Sequence, residues 1–277
     1  MFLDALRQTQ GCSPPLIVCR RCVTLPFDPK KENSILSMHR SVSLLLAILL
    51  LSGCWSRHKQ HENAYTGPRE VTIEWLGRGC FRVTSSLGLT ILTDPFNPKL
   101  VGNSVKSSSV AADVVLVTHE DETANYTDLA AGSPIIFRSS MAEGVNRASG
   151  ILVRGIQTSS ENLTVSPKLN VAYTWAMDGI HFCTLGAIED AVSPSEALNI
   201  GTVDILFLPV GGPQNFNDQK RRITIDRLRP RIIIPMSYSG SYSGVPVSTV
   251  VRINGNRFSI TKAQLPTVTT VYSLSLR

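Results

Sequence analysis

Along most of its length the chain alternates short apolar runs with polar turns, and the period of the alternation identifies the elements. Val71 to Trp75 reads apolar, polar, apolar, polar, apolar, the spacing of a half-buried strand. Leu76-Gly77-Arg78-Gly79 then turns into Cys80 to Thr84, a second strand, and Ser85 to Gly88 makes a hairpin turn ahead of a third, Leu89 to Thr93. After a polar loop from Asn97 to Ser109 the pattern changes. Val114, Val115, Leu116 and Val117 form a continuous apolar run, as in a strand covered on both faces, although a run this short also fits a buried helix.

Further along, Tyr126 to Ala131 predicts a weak helix, Ile135 to Phe137 a buried strand and Met141 to Ala148 a short helix. Ile151 to Ile156 and Leu163 to Tyr173 predict antiparallel strands, and Asp178-Gly179 is a hairpin signal leading into Ile180 to Leu185. A helix over Pro194 to Leu198, a buried strand Val203 to Leu208 with a glycine turn at Gly211-Gly212, a helix over Ile223 to Leu228 and a strand Ile232 to Ile234 follow. The tail, Val250 to Ile253, Ser259 to Ile260 and Thr267 to Leu276, is rich in β-branched residues and predicts sheet. Strands alternating with helices favour an α/β layout.

Chemistry concentrates where the run Val114–Val117 stops. Thr118-His119-Glu120-Asp121-Glu122 places four ionisable groups in a loop at a strand's carboxyl end, a common way to position a site. The same acids also suit the start of a helix.

Five segments resemble the metallo-β-lactamase-fold hydrolases in family order, with the ascorbate-6-phosphate lactonase group as the nearest likeness: Trp75-Leu76-Gly77, Leu92 to Phe96, Ala112 to Leu129, Pro209 to Gly212 and Ile234-Pro235-Met236. The resemblance covers Glu70 to Tyr238 and implies an αββα four-layer sandwich. It also implies a loop of the form His-x-His-x-Asp-His binding one or two zinc ions, which lower the pKa of a bound water to about 7. Laid on this chain, the first histidine is His119, but the other ligand positions fall on Asp121, Thr123, Ala124, Thr184, Ala187 and Ser237. Composition agrees: of the 5 histidines only His119 and His181 lie in the domain, too few for a dinuclear imidazole site. His181, between Ile180 and Phe182, reads as a packed or surface histidine. An oxygen-rich pocket drawn from His119, Glu120, Asp121, Glu122, Asp94, Glu189 and Asp190 suits Ca²⁺, Mg²⁺ or Mn²⁺ better than zinc, but successive acids on a turn diverge.

Upstream of the domain, Met38-His39-Arg40 opens a basic segment, an apolar run continues to Leu51, and Leu51-Ser52-Gly53-Cys54 follows. A charged start, a short apolar stretch and small residues mark a secretory signal, and this ending resembles a bacterial lipoprotein signal with Cys54 lipidated. The run is shorter than the about 20 residues a membrane span needs. The expected organisation is an upstream extension over 1–37, a signal over 38–53, a tether over 54–69 and one domain over 70–277, facing the periplasm from the outer membrane. Cys19 and Cys22 have no second pair at zinc spacing. Cys80 and Cys183, each in apolar surroundings, are expected as buried free thiols.

Charge adds little. Lys and Arg number 27 against 21 Asp and Glu. Setting aside Arg7, Arg20, Arg21, Lys30, Lys31, Arg40, Asp4, Asp28 and Glu32, which precede Cys54, leaves 21 against 18, which does not argue for a nucleic-acid partner. The basic run Lys220-Arg221-Arg222 with Arg227, Arg229 and Arg231 reads as a solvated helix face.

Two functions are expected from these residues. The first is a non-catalytic pseudo-hydrolase, without a cofactor, that binds a small molecule or protein in the cleft where the family holds metals. The alternative is a metal-dependent hydrolase of small phosphorylated or lactone-like substrates, using zinc or another divalent cation in a site rebuilt around His119. There His119 is ligand or base, Asp121 a ligand and Asp94 a support.

Overall fold

The computed structural model describes residues 67–101, 109–158, 169–211, 216–236, 245 and 249–276. The expected extension, signal, Cys54 and nearly all of the tether lie outside them, as do residues 163–168, Gly212 and Ser237.

Strands β1 (Glu70–Gly77), β2 (Cys80–Thr84) and β3 (Thr90–Thr93) form an antiparallel meander. After the short β4 (Val110–Ala111), β5 (Val114–Leu116) returns parallel to β3. The short β6 (Ala130–Ala131) pairs with β4, and β7 (Ile135–Phe137) lies parallel to β5. Next come β8 (Gly144–Ala148), β9 (Ile151–Thr158), β10 (Asn170–Met177) and β11 (Ile180–Thr184), all antiparallel neighbours. Helix α1 (Pro194–Ile200), β12 (Ile205–Pro209), helix α2 (Asp218–Leu228) and β13 (Ile232–Met236) follow, and β14 (Val250–Arg252), β15 (Arg257–Thr261) and β16 (Thr270–Ser273) close the chain. One sheet has the order β15-β1-β2-β3-β5-β7 and the other β14-β16-β13-β12-β11-β10-β9-β8.

The alternation read from the sequence explains how the sheets meet. Val71, Ile73 and Trp75 of β1 are buried while Thr72 and Glu74 are half-exposed, so one face of the first sheet points inward. It packs on the inner face of the second through Phe81, Tyr173, Trp175, Phe182 and Phe207. Phe81 and Phe207 lie 4.5 Å apart between ring centroids, and Trp175 and Phe182 5.3 Å, spacings at which ring pairs add roughly 0.5–1.5 kcal/mol beyond burial. Both helices cover the outer face of the second sheet, with Ile200, Ile225 and Leu228 against Cys183, Leu206 and Ile233. The outer face of the first sheet is closed instead by Phe96, Leu129 and neighbouring loop residues on Leu92, Val115 and Val117. The layers are those of the expected αββα sandwich, with a short 3₁₀ turn at Thr127–Leu129 where a helix would lie.

Several local expectations need correction. Met141 to Ala148 is not a helix: Gly144 has φ 94°, outside helical geometry, and Gly144–Ala148 pairs along β9 instead. Tyr126 to Ala131 is the 3₁₀ turn followed by β6. The basic run does not form a bare solvated face. Arg221 is 8% exposed and pairs with Asp218, while Lys220 pairs with Asp190. Helix α1 begins where Pro194 suggests, because Ser193 and Glu196 make a capping box. Cys80 and Cys183 are buried and unbonded, as expected.

Candidate functional site

The parallel strands β3, β5, β11, β12 and β13 deliver their carboxyl ends to one region, where a cavity of about 350 Å³ opens. Asp94 follows β3, His119 follows β5, Gly186 and Ala187 follow β11, Pro209 ends β12 and Met236 ends β13. All six line the cavity, with Asp121, Thr123, Asn170, Glu189 and the turn Arg78-Gly79. Ligands of open α/β sheets commonly bind outside such strand ends.

The floor is built on Asp94, only 2% exposed. Its backbone N–H donates to Leu116 O at 2.8 Å, fixing it beside β5. Thr118 donates its N–H to Asp94 Oδ1 at 2.8 Å and its hydroxyl to Oδ2 at 2.9 Å. The Thr118 hydroxyl also lies 2.8 Å from His119 Nδ1. Since that hydroxyl gives its single proton to Asp94, it can only accept from the imidazole. The network therefore assigns the Nδ1–H tautomer and leaves Nε2 with its lone pair toward the cavity. Near Nε2 stand Asp121 Oδ2 and Thr123 Oγ1, each at 3.4 Å. Burial pushes the Asp94 carboxyl up to about 6, against the opposing pull of His119 and of the two Thr118 hydrogen bonds.

The opposite wall depends on Asn170, buried at the start of β10. Its amide donates to Thr158 Oγ1 and Leu185 O, both at 2.9 Å, and its Oδ1 accepts from Ala187 N at 2.8 Å. Gly186 between them has φ 60°, and a Cβ there would sit 2.4 Å from the Thr118 side chain. Glycine is what lets the two walls close on one another. Tyr173 hooks the second sheet to the first, its hydroxyl 3.1 Å from both Val117 O and Phe137 O with one proton shared between the two carbonyls.

Of the residues expected at the site, His119, Asp121, Asp94 and Glu189 line the cavity. Glu120 turns away to Arg138 at 2.9 Å, and Asp190 pairs with Lys220. Glu122 is exposed and outside the lining. His181 stands at the opposite, amino end of β11, exposed and 3.0 Å from Asp204. Arg78, Asn170 and Gly186 were not legible as site residues. The Gly-Arg-Gly turn directly after a strand is the signal that would have raised Arg78.

The donor set does not fit the zinc pair that the family resemblance implies. At the implied positions Ala124 is buried and carries a methyl, Ala187 lines the cavity with another, and Thr184 is fully buried with a hydroxyl that has no partner among the described residues. Among the described residues no group of three or more His, Cys, Asp or Glu could hold a metal ion.

The family model for the Beta-lactamase superfamily domain matches residues 72–237, more than half of the chain. The UPF0173 protein of Pyrococcus abyssi is 27% identical over 192 residues, spanning 63% of this chain and 86% of that one. The UPF0173 metal-dependent hydrolase of Thermococcus onnurineus is 24% identical over 200 residues, spanning 61% and 85%. A crystal structure from Thermotoga maritima, described as a candidate Zn-dependent hydrolase of the metallo-β-lactamase superfamily, superposes with a TM-score of 0.59 at 24% identity, covering 74% of this chain and 100% of that one.

Proposed function

The chain belongs to the beta-lactamase superfamily, and from that premise we propose that it hydrolyses small lactone-like or phosphorylated substrates at a site rebuilt around His119. The line of hydrogen bonds from His119 Nδ1 through Thr118 to buried Asp94 carries this reading. Relatives named metal-dependent hydrolases support a hydrolase over the non-catalytic binding protein that the missing imidazoles alone suggest. Their names equally lend no support to the expectation that no metal takes part. Because this chain's donors do not fit a zinc pair, the chemistry is derived from its own side chains.

His119 acts as general base. A water in the cavity attacks the acyl carbon, and its proton passes to Nε2. The imidazolium so formed is stabilised through Thr118 by Asp94 and by Asp121 at 3.4 Å from Nε2. The same proton is then given to the leaving alkoxide, restoring neutral His119. A positioned base of this kind contributes roughly 10²–10⁴-fold. Asp94, already bonded twice by Thr118, holds the tautomer rather than touching substrate.

A panel of small esters, lactones and their phosphorylated forms tests this. Turnover that falls by about 10²–10⁴ in His119→Ala and survives a chelator supports it, and turnover unchanged in that variant contradicts it.

A second reading, ligand binding without turnover, is favoured by Ala124, Ala187 and Thr184 at the implied ligand positions. It requires saturable binding in the cavity with no hydrolysis across the panel. Under either reading we propose that Cys54 is lipidated and holds the domain on the periplasmic side of the outer membrane, and that nucleic acid is not a partner. Partition of the full chain into a detergent phase, lost in Cys54→Ala, supports the anchor.

A further inference from the structure

We propose that Arg78 is the subsite for an anionic oxygen group, a phosphate or a carboxylate, on the molecule that the cavity takes. The proposal rests on the reading of the cavity as a small-substrate site and names the feature of the substrate that it selects.

Three observations converge on this residue. Arg78 lines the same cavity as His119, and its Nε is buried with no hydrogen-bond partner among the described residues. A buried donor left unmade is unfavourable, so an acceptor brought to it on binding relieves that cost. Several other cationic side chains are engaged, Arg82 with Glu74, Arg138 with Glu120 and Lys262 with Asp204. Arg78 has no such ion pair among the described residues.

The backbone supplies the third observation. Arg78 has φ 52° and sits between Gly77, at φ 121°, and Gly79. A glycine would adopt that left-handed conformation without strain, whereas a residue with a side chain is strained there. The turn is clamped from both sides: Trp75 Nε1 donates to Arg78 O at 3.0 Å, and Thr93 Oγ1 donates to Gly79 O at 2.9 Å. A Cβ on Gly79 would lie 3.3 Å from Asp94 Oδ2, so the turn rests against the residue that anchors the His119 relay. The turn thus brings Arg78 to the wall of the cavity that also holds the proposed base, and a guanidinium's planar fork matches a phosphate or carboxylate. Of the nearby acids, Asp121 is already engaged by His119 and Thr123.

Titration calorimetry of the full chain with inorganic phosphate, and separately with acetate, tests the proposal. Wild type is expected to bind at least one of the two anions. Arg78→Gln should weaken that binding by about tenfold or more, the loss of one charge-assisted contact, while Arg78→Lys should lose less. Exposed Arg222, changed to Gln, serves as the control for non-specific charge and should bind as wild type does. No binding of either anion by wild type, or equal binding by folded Arg78→Gln, overturns the subsite. The catalytic reading fails separately, if His119→Ala leaves turnover unchanged while anion binding still depends on Arg78.

Discussion

Thr118 occupies both carboxylate oxygens of Asp94, its N–H on Oδ1 at 2.8 Å and its hydroxyl on Oδ2 at 2.9 Å. This pairing joins the end of β3 to the end of β5 and determines which imidazole nitrogen of His119 faces the cavity. Changing Thr118 to Val should therefore cost more than a lost contact. Oδ2 keeps no donor, Nδ1–H loses its acceptor, and stability should fall by about 1–3 kcal/mol in urea unfolding. Thr118→Ser, which keeps the hydroxyl, should restore most of it.

Asp94 makes stability depend on pH in a direction opposite to that of a salt-bridged aspartate. Its folded pKa is raised to about 6 from 3.8, chiefly by burial, so the fold favours the neutral acid. The contribution is fully present below the unfolded value and is lost as pH rises through about 6. The span corresponds to about 3 kcal/mol. Relative to Asp94→Asn, which does not titrate, wild type should lose stability between about pH 4 and pH 7, measured by urea unfolding. A flat difference would refute the assignment.

Gly186 should not tolerate alanine. The new Cβ would lie 2.4 Å from Thr118 Cβ and Oγ1 and 2.5 Å from Asn170 Oδ1, at a φ of 60°. Strain and overpacking together predict a loss of about 2–4 kcal/mol and a matching loss of cavity function.

Thr184 offers the converse case. Its hydroxyl is buried without a partner among the described residues, so Thr184→Val should be neutral or stabilising by about 1 kcal/mol. A destabilisation beyond that size in chemical unfolding would show that the hydroxyl is in use.

How much of this was legible in the sequence differs by element. Val114 to Val117 could be read because a strand covered on both faces is apolar throughout, and all four residues are fully buried. Gly144 to Ala148 could not. Gly-Val-Asn-Arg-Ala has no period-2 pattern, and it is a strand only because β9 offers an edge to pair with. At the site, Asp94, His119 and Asp121 were legible because family order marks them. Arg78 and Asn170 were not, since each works through a turn or strand end brought in by the fold, Asn170 through partners 12 to 17 residues away.

If the cavity works from His119 and its hydrogen-bonded supports rather than from a zinc pair, the chain purified without chelator should carry zinc far below one ion per chain by elemental analysis. Two zinc ions per chain, lost together with activity on chelation, would overturn that reading.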